Sequence, residues 1–193
     1  MTNDDPLRCY LRALEPDDVH VTLAWRRQDY IWRGLIGPRR TVSSVTETAW
    51  IANAIEQHAR GEMFRFGICL PENDQLVGIV KFGDIDRMNR SCEVGWMLGE
   101  PAAIGRGVAN EATVIGMHYM FTQWNMERIL ARALEDNVAS HRSIELLGFV
   151  PEGVLRRAAI KDGTPKDVHL FSILRDEYHE RHGDRGARPG TLR

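Results

Sequence analysis

No apolar run in this chain approaches the roughly 18 residues that a membrane-spanning helix needs, so a transmembrane reading is excluded. Cysteine is scarce. Cys9, Cys69 and Cys92 are odd in number, far apart, and lack C-x-x-C or histidine at ligand spacing, which argues against a disulfide framework or structural zinc and for reduced thiols. The seven histidines are scattered and form no H-x-x-x-H, so no metal site is expected. An excess of one charge is missing too: 25 Lys+Arg stand against 27 Asp+Glu, a formal charge of -2, which gives no global basic field for nucleic acid or acidic membranes. Repeats, low-complexity tracts and Pro/Gly-rich linkers are absent from the interior, so one domain over 1–178 is expected. Residues 179–193 carry several arginines and glycines with almost no apolar residue, and read as a mobile C-terminal tail. The segment from Met1 to Pro6 is acidic and lacks the basic and apolar regions of a signal peptide, so a cytoplasmic location is expected.

What is present suffices for an ordinary core: 193 residues, 43% of them hydrophobic. A short strand around Cys9 to Ala13 is followed by a helix signalled by Pro16-Asp17-Asp18. Ser44-Val45-Thr46-Glu47 fits a capping box, with Trp50, Ile51, Ala54 and Ile55 at helical spacing behind it. Met63 to Leu70 and Gln75 to Ile85 read as a hairpin about Pro71-Glu72-Asn73-Asp74. In the next strand, Ser91 to Leu98, Cys92, Val94, Trp96 and Leu98 face one way and Glu93, Gly95 and Met97 the other. A long helix from Gly107 to about Gln123, a strand from Ile129 to Leu134, a helix from Ser140 to Leu147 stopped by Gly148, and two strands about Lys161 to Pro165 complete the chain. Antiparallel pairing first and βαβ afterwards means an α/β or α+β sheet covered by helices.

Ile104-Gly105-Arg106-Gly107-Val108-Ala109 lies between a strand and a helix. Glycines there let successive amides turn inward, and the helix N-terminus adds partial positive charge, so the stretch reads either as a cradle for a phosphate or as a tight turn. It lacks the G-x-x-x-x-G-K-[ST] of a P-loop and the G-x-G-x-x-G of a dinucleotide fold, which removes ATP and NAD readings.

The chain resembles the GNAT superfamily of acetyl-CoA-dependent N-acetyltransferases, whose pyrophosphate loop has the form [Q/R]-x-x-G-x-[G/A]; Gly107 and Ala109 take the small-residue positions. It is most similar to the ribosomal-protein-alanine branch. Leu11-Arg12-Ala13-Leu14 looks like the opening strand, Trp25-Arg26 and Ala49-Trp50 like the paired helices, and Glu93 to Leu98 like the central strand. Asn137 to Arg142 with Leu147-Gly148-Phe149 looks like a second cofactor element, and Asp162-Gly163 with Asp167 like the closing hairpin. Ile104 departs from the pattern where the superfamily often has Gln or Arg. The resemblance spans about residues 7 to 178 and implies a mixed, mostly antiparallel sheet of about seven strands flanked by about four helices and splayed between the fourth and fifth strands.

It also implies roles. Acetyl-CoA would lie on residues 104 to 109 (Ile104, Gly105, Arg106, Gly107, Val108, Ala109), on the backbone of Met97 and Leu98, and near Asn137 and Arg142. Glu93 would be the general base and Ser140 the donor to the departing sulfur. A free glutamate titrates near ~4.3, so partial burial is expected around Glu93 if it is to act as a base; otherwise it is a solvated strand residue. Asn137 reads equally as a helix-entry residue, and Ser140 as a helix N-cap. Cys92, pointing into the apolar face, reads as a buried thiol rather than an acetyl carrier. Arg33 and Arg39, with Arg40, and Asp167 are weaker candidates for contact with the acceptor; the arginines weigh against a polyamine.

The function expected is transfer of acetyl from acetyl-CoA to a primary amine, either a protein N-terminus or a small molecule, by direct attack in a ternary complex, in a monomer or homodimer. Amino-sugar, antibiotic and polyamine acceptors are alternatives within the class, and a non-catalytic acyl-CoA sensor is the alternative outside it. No nucleic-acid or membrane partner is expected.

Overall fold

Seven β-prone runs assemble into one sheet, in the spatial order β1-β2-β3-β4-β5-β7-β6. The strands are β1 (Tyr10–Ala13), β2 (Phe64–Cys69), β3 (Leu76–Asp86), β4 (Ser91–Leu98), β5 (Arg128–Leu134), β6 (Val150–Lys161) and β7 (Thr164–Leu174). The computed structural model describes residues 6–193, so the acidic start from Met1 to Asp5, on which the absence of a secretion signal was argued, lies outside the described residues. Among those described, no helix is long and apolar enough to cross a membrane.

All neighbouring strands are antiparallel except β4 and β5. A parallel pair cannot be joined by a tight turn, and helix α4 (Val108–Thr122) supplies the crossover. The β4–β5 ladder is short, running from Ser91 opposite Arg128 to Val94 opposite Ala131. Beyond it, Met97 and Leu98 pair only with Ile79 and Gly78 of β3. The sheet therefore opens between its fourth and fifth strands, as the resemblance implies.

Both faces of the sheet are covered. Leu11, Phe66, Val80, Cys92 and Val94 pack with α4 in the larger core, while Tyr10, Cys69 and Ile79 pack with Trp25, Ile31 and Ile51 in the other. The second layer comes from α1 (Val19–Arg26), α2 (Asp29–Gly34) and α3 (Ser44–Arg60); α5 (Val138–Leu147) and α6 (Arg175–His182) complete the set. That makes six α-helices among the described residues where about four are expected. Helix α2 is only six residues long and has no side-chain cap, and α6 is so polar that only Tyr178 and His182 are buried on it. Neither leaves a clear apolar period in the sequence.

Two local readings need correction. The cap of α3 is Ser43, whose hydroxyl accepts from the Thr46 amide, so Glu47 falls one position too late for a capping box. Its carboxylate is instead buried, 3.4 Å from Arg26 Nε. At the other end, residues 179–193 pack onto the body instead of trailing from it. Leu11 N donates to Thr191 O and Arg193 N to Leu11 O, which lays the chain end alongside β1. Apolar composition could not show this, because backbone hydrogen bonds and ion pairs do the fastening.

Candidate active site

The alternation along β4 separates two chemistries. Cys92 and Val94 enter the core under α4, and Glu93, Gly95 and Met97 look out on the opposite face. That face forms one wall of a cavity of about 500 Å³, closed by α1, α3, the 35–42 loop, β5 and α5. Glu93, Met97 and Ser140 all line it, so the sequence's two catalytic candidates meet in one space. The Glu93 side chain is 15% exposed, the partial burial expected of it. It is not isolated, however: Arg132 Nε lies 2.5 Å from its carboxylate. Cys92 next to it is fully buried, and burial, assisted by the Glu93 charge, pushes its thiol up to about 12. A thiol so held is not a nucleophile at neutral pH.

The far side of the cavity was not anticipated from sequence. Arg26 holds Glu47 and also lies over Trp50, 4.8 Å from the ring centre, with the Arg65 guanidinium over the same ring at 5.6 Å. Arg65 also donates to Gln57 Oε1 at 2.7 Å. Burial, and then the proximity of Arg26, pulls the Arg65 guanidinium below its ordinary range. Arg65, Lys81 and Gly95 are consecutive partners across β2, β3 and β4, and the absence of a side chain at Gly95 leaves room for the Lys81 stem to cross β4. Hydrophobic periodicity singles out none of these cations.

The glycine loop has the geometry of a cradle. Gly105 and Gly107 are both left-handed, with φ of +79° and +76°, so neither position suits a residue with a side chain. A Cβ at Gly105 would meet nothing within 4 Å, whereas one at Gly107 would lie 2.2 Å from Arg8 Nη1. The open side is therefore at Gly105. Gly107 caps α4, accepting from the Glu111 amide, so the first free amides of a 15-residue helix follow directly. Glu111 in that first turn would oppose an anion, but its buried carboxylate takes Arg188 Nη2 at 2.7 Å and the Arg8 amide at 3.2 Å. Arg188 comes from the chain end that reads as a mobile tail. Ile104 and Arg106 are exposed, Arg106 reaching Glu72 at 3.4 Å, while the Val108 side chain belongs to the core and Ala109 is half-buried. The open cradle and the unpaired β5-facing backbone at Met97 and Leu98 fit a ligand with a diphosphate and a long amide-bearing arm. Among the described residues, no group of three His, Cys, Asp or Glu side chains is placed to hold a metal ion.

The remaining candidates lie elsewhere. Asn137 caps α5 through Oδ1, accepting from Ser140 N at 3.1 Å, and donates through Nδ2 to Gly34 O at 3.1 Å. Its amide thus ties α5 to the end of α2, and Ser140 is not the cap. Arg142 is exposed on α5. Arg39 pairs with Asp29 at 2.7 Å on the surface, and neither it nor Arg33 lines the cavity; Arg40 does. Asp167 Oδ1 accepts from Arg157 N at 2.7 Å, bracing a residue with φ of +52° in the β6 bulge. It also lies outside the cavity lining.

Comparison with known proteins agrees with this geometry. Residues 8–150 match the family model described as acetyltransferase (GNAT) domain. The chain is 31% identical over 172 residues to the uncharacterized N-acetyltransferase p20 of Bacillus licheniformis, covering 89% of this chain and 95% of that one. It is 28% identical over 169 residues to the [ribosomal protein uS5]-alanine N-acetyltransferase of Escherichia coli (strain K12), covering 81% and 84%. Its fold superposes on spermidine N-acetyltransferase from Vibrio cholerae, solved with CoA and spermine, with a TM-score of 0.79 and 24% identity over 89% of this chain and 98% of that one.

Proposed function

Because the chain belongs to the GNAT acetyltransferase family and is an acetyl-CoA-dependent N-acetyltransferase, we propose that its acceptor amine enters the cavity beside Glu93 and attacks the acetyl group directly, in a ternary complex. The acceptor is the N-terminal amine of a protein or the amine of a small molecule; a protein acceptor is in keeping with the Escherichia coli relative, which is named for an alanine of ribosomal protein uS5.

When bound, acetyl-CoA supplies an activated acyl carbon and a thiolate leaving group. The protein's residues do the rest. The amides at Gly105 to Ala109 hold the diphosphate, helped by the α4 N-terminus. The edge of β4 at Met97 and Leu98, left without a β5 partner, aligns the arm by backbone hydrogen bonds. Glu93 takes the proton that the amine must shed to expose its lone pair, and Ser140 offers a hydroxyl proton where the sulfur departs. One C–N bond replaces one C–S bond; the ammonium form of the amine gives up two protons, one before attack and one after it, of which one is matched by the proton gained at sulfur and the other passes to solvent. Buried Cys92, its thiol held protonated, does not carry the acetyl group between the two substrates.

The observation that carries this reading is that Glu93 and Ser140, from separate elements, line one cavity at the point where β4 parts from β5. An amine panel with detection of released thiol tests it. Turnover with at least one primary amine is the expected result; acetyl-CoA binding without turnover of any amine would leave a sensor in place of an enzyme.

A further inference from the structure

The charges lining the acceptor cavity do not cancel. Five cations, Arg26, Arg40, Arg65, Lys81 and Arg132, face two carboxylates, Glu47 and Glu93. Each carboxylate already has its own guanidinium, Arg26 for Glu47 and Arg132 for Glu93. Among the described residues, Arg40, Arg65 and Lys81 have no ion-pair partner. Arg65 is the telling one. It is half-buried between Trp50 and the sheet with an amide oxygen of Gln57 for company, a costly place for a cation unless an anion arrives.

The sheet register places these groups relative to Glu93. Arg65, Lys81 and Gly95 form a row across β2, β3 and β4, and Glu93 is the next residue of β4 on that face. With neighbouring strands about 4.8 Å apart, the backbones of Lys81 and Arg65 stand about 5 and 10 Å from Gly95. An amine at Glu93 and a carboxylate at Lys81 and Arg65 would then belong to one short molecule or to adjacent residues of one peptide.

Resting on the acetyl-transfer reading above, we propose that the enzyme selects acidic acceptors: primary amines carrying a carboxylate within about 10 Å, held by Arg65 and Lys81 while Glu93 faces the amine. A polyamine would set its charges against three unneutralised cations.

The test compares kcat/KM, by thiol release, for short peptides identical except for Glu, Gln or Lys at the second position, with free glutamate and spermidine as separate arms. The expected order is Glu above Gln above Lys, with Glu ahead of Gln by about tenfold or more, mostly in KM. Preference among peptides with poor turnover of glutamate identifies a peptide acceptor; the reverse identifies a small acid, and either supports the proposal. In Arg65→Gln the Glu:Gln ratio should fall toward one, with partial recovery in Arg65→Lys. Should Arg65→Gln fail to fold, Lys81→Gln, at an exposed position, supplies the same readout. Equal or better use of the Gln, Lys or spermidine acceptors by wild type, or an undiminished ratio in both variants, would overturn the proposal while leaving acetyl transfer intact. Absence of thiol release from every amine would overturn both.

Discussion

Arg132 follows directly after Ala131, the last β5 residue paired with β4, and its Nε reaches back across the opening of the sheet to within 2.5 Å of Glu93. The same contact that positions the proposed base therefore sits at the mouth of the splay, beside the path proposed for the thioester arm. Fold and chemistry meet at this pair: Leu130 stands opposite Glu93, so Arg132, two residues further along β5, lies on the same face of the sheet and diagonal to it.

The cradle is separable from the rest of the fold at Gly105. Its left-handed backbone tolerates Asn better than most residues, and its open side would be filled by a longer acidic chain. Gly105→Asn is expected to retain the rise in melting temperature caused by acetyl-CoA, and Gly105→Glu to lose it while remaining folded. Thermal shift with and without cofactor checks both. Gly107 is a poorer test, since any side chain there displaces Arg8.

The chain end should matter to stability. Arg188 is 14% exposed and neutralises Glu111, itself 7% exposed, at 2.7 Å. Arg188→Leu strips much of that compensation from a buried carboxylate, and unfolding in urea should show a loss of about 3 kcal/mol. A loss within 0.5 kcal/mol, the ordinary range for surface substitutions, would mean that the segment is fastened by its backbone contacts alone.

Lys161 reaches from the β6–β7 hairpin to the loop that roofs the cavity, its ammonium donating to the carbonyls of Trp32, Leu35 and Gly37 at 2.7, 3.0 and 3.1 Å. Lys161→Met releases that roof without touching Glu93. The expected kinetic result is a KM for the amine raised several-fold with kcat nearly retained; a fall in kcat alone would place Lys161 in the chemistry instead.

Acid should loosen the C-terminal helix. Burial holds the His182 imidazole, whose Nε2 donates to Leu147 O at 2.9 Å, below its ordinary range, and burial with His179 nearby does the same for His118. The unfolded chain then takes up protons near pH 6.5 before the folded one does, so stability is fully present above that pH and is lost as pH falls through it toward the folded values. Melting temperatures measured from pH 7.5 to 5.5 should decline, and less steeply in His182→Gln. Identical slopes for the two proteins would remove His182 from the account.

Much of this was legible in the sequence, for reasons that vary by residue. Period-two alternation placed Cys92 and Glu93 on opposite faces of β4, and the glycines marked the left-handed turn that leads into α4, because both signals are local. Arg132, Arg65 and Lys81 gave no such signal: each becomes a cavity residue only through strand order, which joins segments far apart in the chain. Asp167 and Arg188 were misjudged similarly, their partners Arg157 N and Glu111 being visible only after folding. The cap of α3 slipped by one residue because Ser43 and Ser44 are chemically equivalent, and only the backbone chooses between them.

The most direct test is a paired measurement on Glu93→Gln with its preferred amine: the cofactor-induced melting shift and the turnover rate at neutral pH. The account predicts a shift like that of wild type and a rate lower by about 100-fold or more. A rate within a few-fold of wild type, with the shift intact, would contradict it and put the base elsewhere in the cavity.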